Sequence, residues 1–142
     1  MAYPTRIEET LETLDLLQDR DDKIQALISM AKRFKSVPPE VATRPFEESH
    51  RVPGCESEAF VWALTEGGKL RVEFAVENPQ GIAAQALAVV LKDGLDGEDP
   101  VAVSGLDDDV VYRMFGRELS MGKSLGLTNM VRAVRARSMA VA

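Results

Sequence analysis

A β-hairpin pattern in the middle of the chain constrains the fold more than any other feature of the sequence. Residues 60–64 (FVWAL) are rich in strand-forming side chains, and residues 66–69 (EGGK) supply the glycines of a turn. Large apolar side chains then occupy every second position along residues 70–76. A period of two gives a strand one buried face, so the pattern predicts two antiparallel strands. A shorter third strand is expected over residues 49–52, where a following Pro-Gly pair ends it.

Helical patterns lie on both sides of this hairpin. A capping box of Thr5 with Glu8 is expected to begin the first helix, and a second helix is expected from Asp21 or Asp22 to about Lys35. Four more helices follow the hairpin, and their predicted starts are Asn78–Pro79, Asp99–Pro100, Asp107 and Ser124. The first of these four should end near Gly94, and the third at Met114 or Phe115. The side chains expected to face the core are Ile7, Leu11, Leu14 and Leu17; Ile24, Leu27, Ile28, Ala31 and Phe34; Ile82, Ala86, Val89 and Val90; and Leu127, Met130, Val131 and Val134.

This order of elements predicts an α+β fold in a single domain spanning residues 1–142. Two N-terminal helices are followed by a three-stranded antiparallel sheet, and several C-terminal helices pack on that sheet. No internal repeat or low-complexity segment divides the chain, and 142 residues is an ordinary length for one domain.

The composition predicts a cytoplasmic protein that does not enter a membrane. No apolar run approaches the roughly 20 residues that span a bilayer. The first nine residues (MAYPTRIEE) lack the basic and then apolar order of a signal peptide. The chain has one cysteine, which cannot form an internal disulfide, and this fits a reducing compartment.

Charge is distributed unevenly along the sequence. Residues 1–111 hold 22 acidic and 11 basic side chains, whereas residues 112–142 hold 1 acidic and 6 basic side chains. An acidic body argues against nucleic acid as a partner, because phosphate contacts need clustered cations. The basic C-terminal segment suits either a partner surface or an ordinary solvated helix face.

The single cysteine, Cys55, is the candidate for chemistry. Pro53 and Gly54 favour a turn, so Cys55 should lie at the tip of a loop where another protein can reach its thiol. The alternative is a buried cysteine that acts only as a small apolar side chain. Glu56 and Glu58 flank the thiol, and anions disfavour a neighbouring thiolate. We therefore expect a poor nucleophile in the free protein, activated by a partner, and a loop that is tucked in at rest.

Three segments resemble the SufE family. Residues 52–57 (VPGCES) resemble its signature V/I-P-G-C-x-S, which leads into a Trp-containing strand. Residues 124–136 (SLGLTNMVRAVRA) are similar to its C-terminal helix pattern S-x-G-L-x-x-M-[VI]-x-x-[IV]-[RK]-x. Residues 82–90 resemble its middle helix. Because the order and spacing of elements also match, the resemblance covers nearly the whole chain and implies a SufE/IscU-like fold.

The resemblance implies a sulfur carrier and not an enzyme. Such a protein accepts a persulfide sulfur from a pyridoxal-phosphate cysteine desulfurase (SufS-like or CsdA-like), stimulates that enzyme, and delivers sulfur to an iron–sulfur scaffold complex (SufBCD-like). It needs no cofactor or metal of its own. Nucleic acid and membranes are not expected partners, and the protein should be a monomer or weak dimer. Cys55 matches the acceptor, and the residues implied to face partners are Val52, Pro53, Gly54, Glu56, Ser57, Lys123 and Arg132. Lys123 stands where the family usually carries Arg.

Other functions fit the sequence less well. One alternative is an interaction domain of the same fold that binds a desulfurase without carrying sulfur. A second is a cysteine hydrolase that pairs Cys55 with His50, although no third orienting group stands out. Metal binding is disfavoured because a structural zinc site needs four ligands, usually with paired cysteines, and an IscU-like scaffold role is disfavoured because it needs more than one cysteine.

Overall fold

The computed structural model describes residues 3–117 and 119–142, and residues 1, 2 and 118 lie outside the described part. It has the predicted α+β class. The helices are α1 (Thr5–Asp15), α2 (Arg20–Lys32), α3 (Ile82–Leu95), α4 (Asp109–Phe115) and α5 (Met121–Ala140), the strands are β1 (Ala59–Glu66) and β2 (Lys69–Val76), and two short 3₁₀ helices cover Glu48–His50 and Pro100–Gly105.

The hairpin prediction is confirmed, but the predicted third strand is wrong. Among the described residues the sheet has two antiparallel strands, in a register that runs from Ala59 opposite Val76 to Glu66 opposite Lys69. Instead of a strand, residues 49–52 form the end of a 3₁₀ turn and one isolated bridge between Arg51 and Phe60. The Pro-Gly turn follows directly, so pairing stops before a strand can develop.

The expectation that the hairpin has only one buried face is also wrong. Its inner face carries Val61, Val72 and Phe74 into the main core. The opposite face is covered by the segment before the hairpin, where Val37 and Phe46 pack on strand residues. A second apolar cluster forms there around Phe60, Trp62 and Ala75. A long irregular segment folds back on the sheet, and local periodicity carries no signal for such a contact.

Loops and side chains occupy the outer edge of β2. The N–H and C=O groups of Leu70 and Val72 and the C=O group of Phe74 are satisfied there without a further strand. The contacts are Leu70 N–H to Glu98 O at 2.8 Å, Gly97 N–H to Leu70 O at 2.8 Å, Val72 N–H to Asp96 Oδ1 at 2.9 Å, Lys92 Nζ to Val72 O at 2.9 Å, and Val37 N–H to Phe74 O at 2.7 Å.

Helix α3 lies at the centre of the molecule. Nine of its 14 residues are buried, and it contacts α1, α2, α4, α5 and β2. Gly94 lets α1 approach closely, because a β-carbon there would overlap the Ile7 side chain and lie 3.3 Å from the Ile7 backbone nitrogen. The α1–α3 contact therefore depends on a helical position without a side chain.

Several helix starts differ from the predictions. Thr5 is the first residue of α1, but the capping box is wrong: the cap is Pro4, which makes no side-chain cap bond. Helix α2 is capped by Asp19 and ends at Lys32, three residues before the predicted end. Helix α3 begins at Ile82 rather than near Asn78, because the Asn78 side chain instead accepts a bond from the Gln80 amide at 2.9 Å and forms a turn.

The predicted core faces of α1, α3 and α5 are largely confirmed, whereas Ala31 is the one buried residue of α2. The inner residues of α1 and α5, represented by Leu11 and Met130, are fully buried. Ile24 and Ile82, by contrast, are 41% and 42% exposed. Both residues line an open cleft beside Cys55 rather than the core.

Replacing Gly94 by Ala is expected to lower the free energy of unfolding by about 1–3 kcal/mol, the usual cost of overpacking. Alanine would by itself favour a helix by about 1 kcal/mol over glycine, so a net loss isolates the steric contact with Ile7. Urea unfolding followed by far-UV circular dichroism measures the change. The neighbouring exposed variant Asp93→Ala should stay within about 0.5 kcal/mol of the unaltered protein. Unchanged or higher stability of Gly94→Ala would contradict the close helix contact.

Candidate functional site

The predicted loop position of Cys55 is confirmed. Residues 53–54 and 56–57 form two successive turns between the Arg51 bridge and β1. Gly54 has a φ of +67°, a conformation that glycine adopts readily, and the Glu58 N–H donates to Cys55 O at 3.1 Å. The Cys55 side chain is half-buried, so the thiol is partly tucked in without being sealed in the core.

Helix α5 packs against this loop. A β-carbon on Gly126 would lie 3.0 Å from Cys55 Cα and 3.2 Å from Gly54 O, so a side chain there would require the loop to shift by a few tenths of an ångström. Asn129 Nδ2 donates to Pro53 O at 2.8 Å. The buried face of α5 packs on the sheet and the core, so the loop rests on a fixed element.

Arg137, near the end of α5, fixes the segment that leads into the loop. Its guanidinium donates to His50 O at 2.9 Å and to Val61 O at 2.7 Å. A further bond reaches Ser49 O at 3.0 Å. Burial lowers the pKa of this guanidinium, which has carbonyl oxygens as its recorded partners in the described part of the chain. These bonds also occupy carbonyls that a third strand would have used.

An open cleft of about 750 Å³ lies beside the thiol. Helix α2, the start of α3, the end of α4 and the start of α5 form its walls, and Cys55 lies at its margin. Its lining is mainly apolar, and Lys123 and Ser57 are among its polar members. A thiol at this position can face either the cleft or a protein that docks across it.

Glu56 and Glu58, which flank the thiol in the sequence, lie in different environments. Glu56 Oε1 lies 3.2 Å from the position that a β-carbon on Gly122 would take, at the first turn of α5, where the helix dipole favours an anion. Glu58 lines a separate hollow with Arg44 and Arg51. The effect of these acids on the thiolate stays a prediction.

The residues implied by the resemblance do not all meet at this cleft. Lys123 is exposed and lines the cleft with Cys55, Glu56 and Ser57. Arg132 lies elsewhere on α5 and is paired with Asp108 at 2.6 Å. The prediction that Arg132 belongs to the same site as Cys55 therefore finds no support in the geometry.

Two of the loop residues implied to face partners make backbone hydrogen bonds within the protein. Val52 is 1% exposed, and its N–H donates to Ala59 O at 2.8 Å. Ser57 O accepts the Asn78 N–H at 3.1 Å. These two residues fix the ends of the loop, whereas Pro53, Gly54 and Glu56 are exposed on it.

Asn129 and Arg137 are the residues near the loop that sequence reasoning missed. Both are polar side chains on an amphipathic helix, where solvent exposure is the default interpretation, so the sequence offered no signal for either. Gly126 did carry a signal, because a glycine inside a helix indicates a close backbone approach.

His50 does not pair with Cys55. Its Nδ1–H donates to Val61 O at 3.1 Å, and its ring stacks on Trp62 with the centroids 5.1 Å apart. His50 is therefore engaged on the second cluster and is not among the residues that line the cleft. Within the described residues, no group of three or more His, Cys, Asp and Glu side chains is arranged to bind a metal ion.

No described helix is a candidate for a membrane span. Across residues 3–117 and 119–142, no helix combines the length and the apolar character that crossing a bilayer requires.

Comparison with known proteins gives information on the family and the fold. A family model described as SufE, Fe-S metabolism associated domain, matches residues 8–138. The chain is also similar to the solution structure of a hypothetical protein from Thermus thermophilus, with 29% identity and a TM-score of 0.77. That match covers 99% of this chain and 98% of the other. Comparison with curated proteins gives no significant match.

Replacing His50 by Ala should leave the alkylation rate of Cys55 within about twofold of that of the unaltered protein, because the ring does not reach the thiol. A histidine that acted as general base would change the rate by about 100-fold or more. Intact mass after timed exposure to iodoacetamide, from about pH 6 to about pH 9, provides the measurement. A large rate loss in a variant that keeps its thermal midpoint would restore the Cys–His interpretation.

Proposed function

Because the chain belongs to the SufE family of Fe–S metabolism associated domains, we propose that it accepts a sulfur atom on Cys55 from a cysteine desulfurase. It then delivers that sulfur for iron–sulfur cluster assembly. The observation that carries this proposal is the position of the chain's one thiol, which lies half-buried on a loop at the margin of an open cleft. The role is that of an accessory carrier and activator acting beside an enzyme.

The chemistry needs a single thiolate. Cys55 Sγ attacks the outer sulfur of a persulfide on the desulfurase, and a new sulfur–sulfur bond forms at Cys55. The bond between that outer sulfur and the desulfurase cysteine breaks, and the desulfurase cysteine leaves as a thiolate. The exchange is neutral in electrons, so neither a cofactor nor a metal is needed in the acceptor. A second exchange of the same kind passes the sulfur onward.

The surface around the thiol supports docking of a protein partner. Lys123 places a positive charge on the rim of the cleft, and the largely apolar lining beneath it can be covered by another surface. In this proposal the donor is a SufS-like or CsdA-like desulfurase and the recipient is a SufBCD-like scaffold. The carrier works in the cytoplasm as a monomer or weak dimer.

Incubation with a cysteine desulfurase and free cysteine should add one sulfur atom to the protein, detected by intact mass. The added mass should disappear on reduction and should be absent from Cys55→Ser. A protein that gains no sulfur under conditions in which the desulfurase turns over would overturn the carrier role. The Ser variant also acts as the matched control, because it keeps the size of the side chain and loses only the thiolate.

The same variant distinguishes the alternative functions. Stimulation of the desulfurase that survives Cys55→Ser, without sulfur on the unaltered protein, would indicate a binding domain that carries no sulfur. Turnover of an ester or amide substrate that is lost in Cys55→Ser would indicate a hydrolase.

Reversing the charge of Lys123 should weaken sulfur transfer. In Lys123→Glu the rate of sulfur loading at limiting carrier concentration should fall about fivefold, since one unfavourable surface charge contact costs about 1 kcal/mol. Arg135→Glu is the matched control, because Arg135 is also exposed on α5 but lies outside the cleft. Equal loss in both variants would indicate a general charge effect and would remove Lys123 from the proposed docking surface.

A further inference from the structure

The Cys55 loop is fixed firmly at both ends and lightly in the middle. At one end, the Val52 N–H donates to Ala59 O at 2.8 Å. At the other, the Asn78 N–H donates to Ser57 O at 3.1 Å. These are backbone bonds beside the sheet, so residues 53–56 form the part of the loop that can move without disturbing the hairpin.

One side chain bonds this middle part to the rest of the protein. Asn129 Nδ2 donates to Pro53 O at 2.8 Å, and in the described part of the chain it is the one side-chain hydrogen bond recorded to residues 53–56. Asn129 also lies near the next residue, since its Nδ2 is 3.5 Å from the position that a β-carbon on Gly54 would take. The Asn129 side chain belongs to α5, which packs on the sheet.

The loop also lies beside α5 at Leu125, whose Cδ2 is 3.4 Å from the position of a β-carbon on Gly54, and at Gly126. Gly126 lets the backbone of Cys55 lie against α5, and a β-carbon there would come within 3.0 Å of Cys55 Cα. A hydrogen bond from Asn129 therefore fixes the loop at Pro53. The absence of a side chain at Gly126 allows the backbone of Cys55 to pack closely on α5. One substitution can remove the hydrogen bond from Asn129, and a different one can add a side chain at Gly126.

We infer that Asn129 is a positioning residue that holds the Cys55 loop in its half-buried resting position. Release of its bond to Pro53 O is the event that frees residues 53–56 and presents the thiol. The inference rests on the proposed function only where it requires the thiol to move toward a partner. The contact between Asn129 and Pro53 is tested in the free protein. A single neutral hydrogen bond suits this task, because its modest net strength makes release readily reversible.

The test is the alkylation rate of Cys55 in the free protein, without a desulfurase. Asn129→Ala and Asn129→Leu both remove the donor, and Leu keeps the side chain large and neutral. Each should raise the rate by roughly three- to tenfold, the change expected from loss of one net hydrogen bond. The rise should be the same at every pH tested, because the change is in access to the thiol and not in its ionisation. Arg135→Ala, an exposed substitution on the same helix, should leave the rate unchanged.

Hydrogen exchange supplies a readout that a merely destabilised protein would not reproduce. In the Asn129 variants the amides of residues 54–56 should exchange faster, while those of β1 and β2 keep their protection. Gly126→Ala should raise both the alkylation rate and loop exchange by a different route, because its methyl group displaces the loop. Unchanged alkylation and unchanged loop exchange in both Asn129 variants would overturn the inference, as would faster exchange spread evenly over the whole chain.

The outcomes separate this inference from the proposed function. If the Asn129 variants expose the thiol but the unaltered protein accepts no sulfur, the positioning role stands and the carrier role fails. If sulfur loads onto Cys55 while the Asn129 variants behave as the unaltered protein in alkylation and exchange, the carrier role stands and the positioning role fails.

Discussion

The burial of α3 on nearly every side is the constraint on which the rest of the structure depends. Few positions on this helix are polar, so it cannot lie on a surface with one face in water. The sheet covers one side, α1 and α2 cover others, and α4 and α5 complete the enclosure. Gly94 permits the tightest of these contacts by leaving room for Ile7. The hairpin therefore has a definite inner face, and the loop that precedes it leaves the core at a definite place.

Charged groups complete the contact between α3 and the sheet. Glu73 is 4% exposed although it lies on the strand face expected to meet water. Its carboxylate pairs with Arg71 on the same strand at 2.7 Å and with Lys92 of α3 at 3.1 Å. A buried carboxylate is tolerated only when such partners surround it, so these two cations allow β2 to be covered on both faces. Arg137 plays a comparable part on β1, where its partners are carbonyl oxygens.

Sequence reasoning was reliable for several local signals. The alternation along residues 70–76, the cap at Asp99 and the loop position of Cys55 each depend on a few neighbouring residues, and each is confirmed. Two errors were local, because the capping box at Thr5 and the helix start near Asn78 were both wrong. The other errors came from contacts between distant segments. Residues 37–46 cover the outer sheet face, and Arg137 donates hydrogen bonds to the carbonyls of residues 49–50. The pattern of residues within one segment predicts neither contact.

The family resemblance and the geometry contribute differently to the site. The resemblance selects Cys55 and Lys123, which the structure places on one cleft, and Arg132, which it places beside Asp108. The support of the loop is visible only in the folded protein, because a hydrogen bond from an amide to a distant carbonyl leaves no trace in the spacing of residues. Chemistry-bearing residues can thus be found by motif, whereas the groups that position them require the fold.

The occupied outer edge of β2 has a consequence for how copies of this chain meet. A sheet of two strands usually offers open backbone groups on which another molecule can build, and this is a common route to strand-swapped dimers and fibres. Here Asp96, Lys92 and the backbone of neighbouring loops already occupy that row of donors and acceptors. Self-association along β2 would first have to displace these groups, so the fold protects the two-stranded sheet from aggregation along this edge.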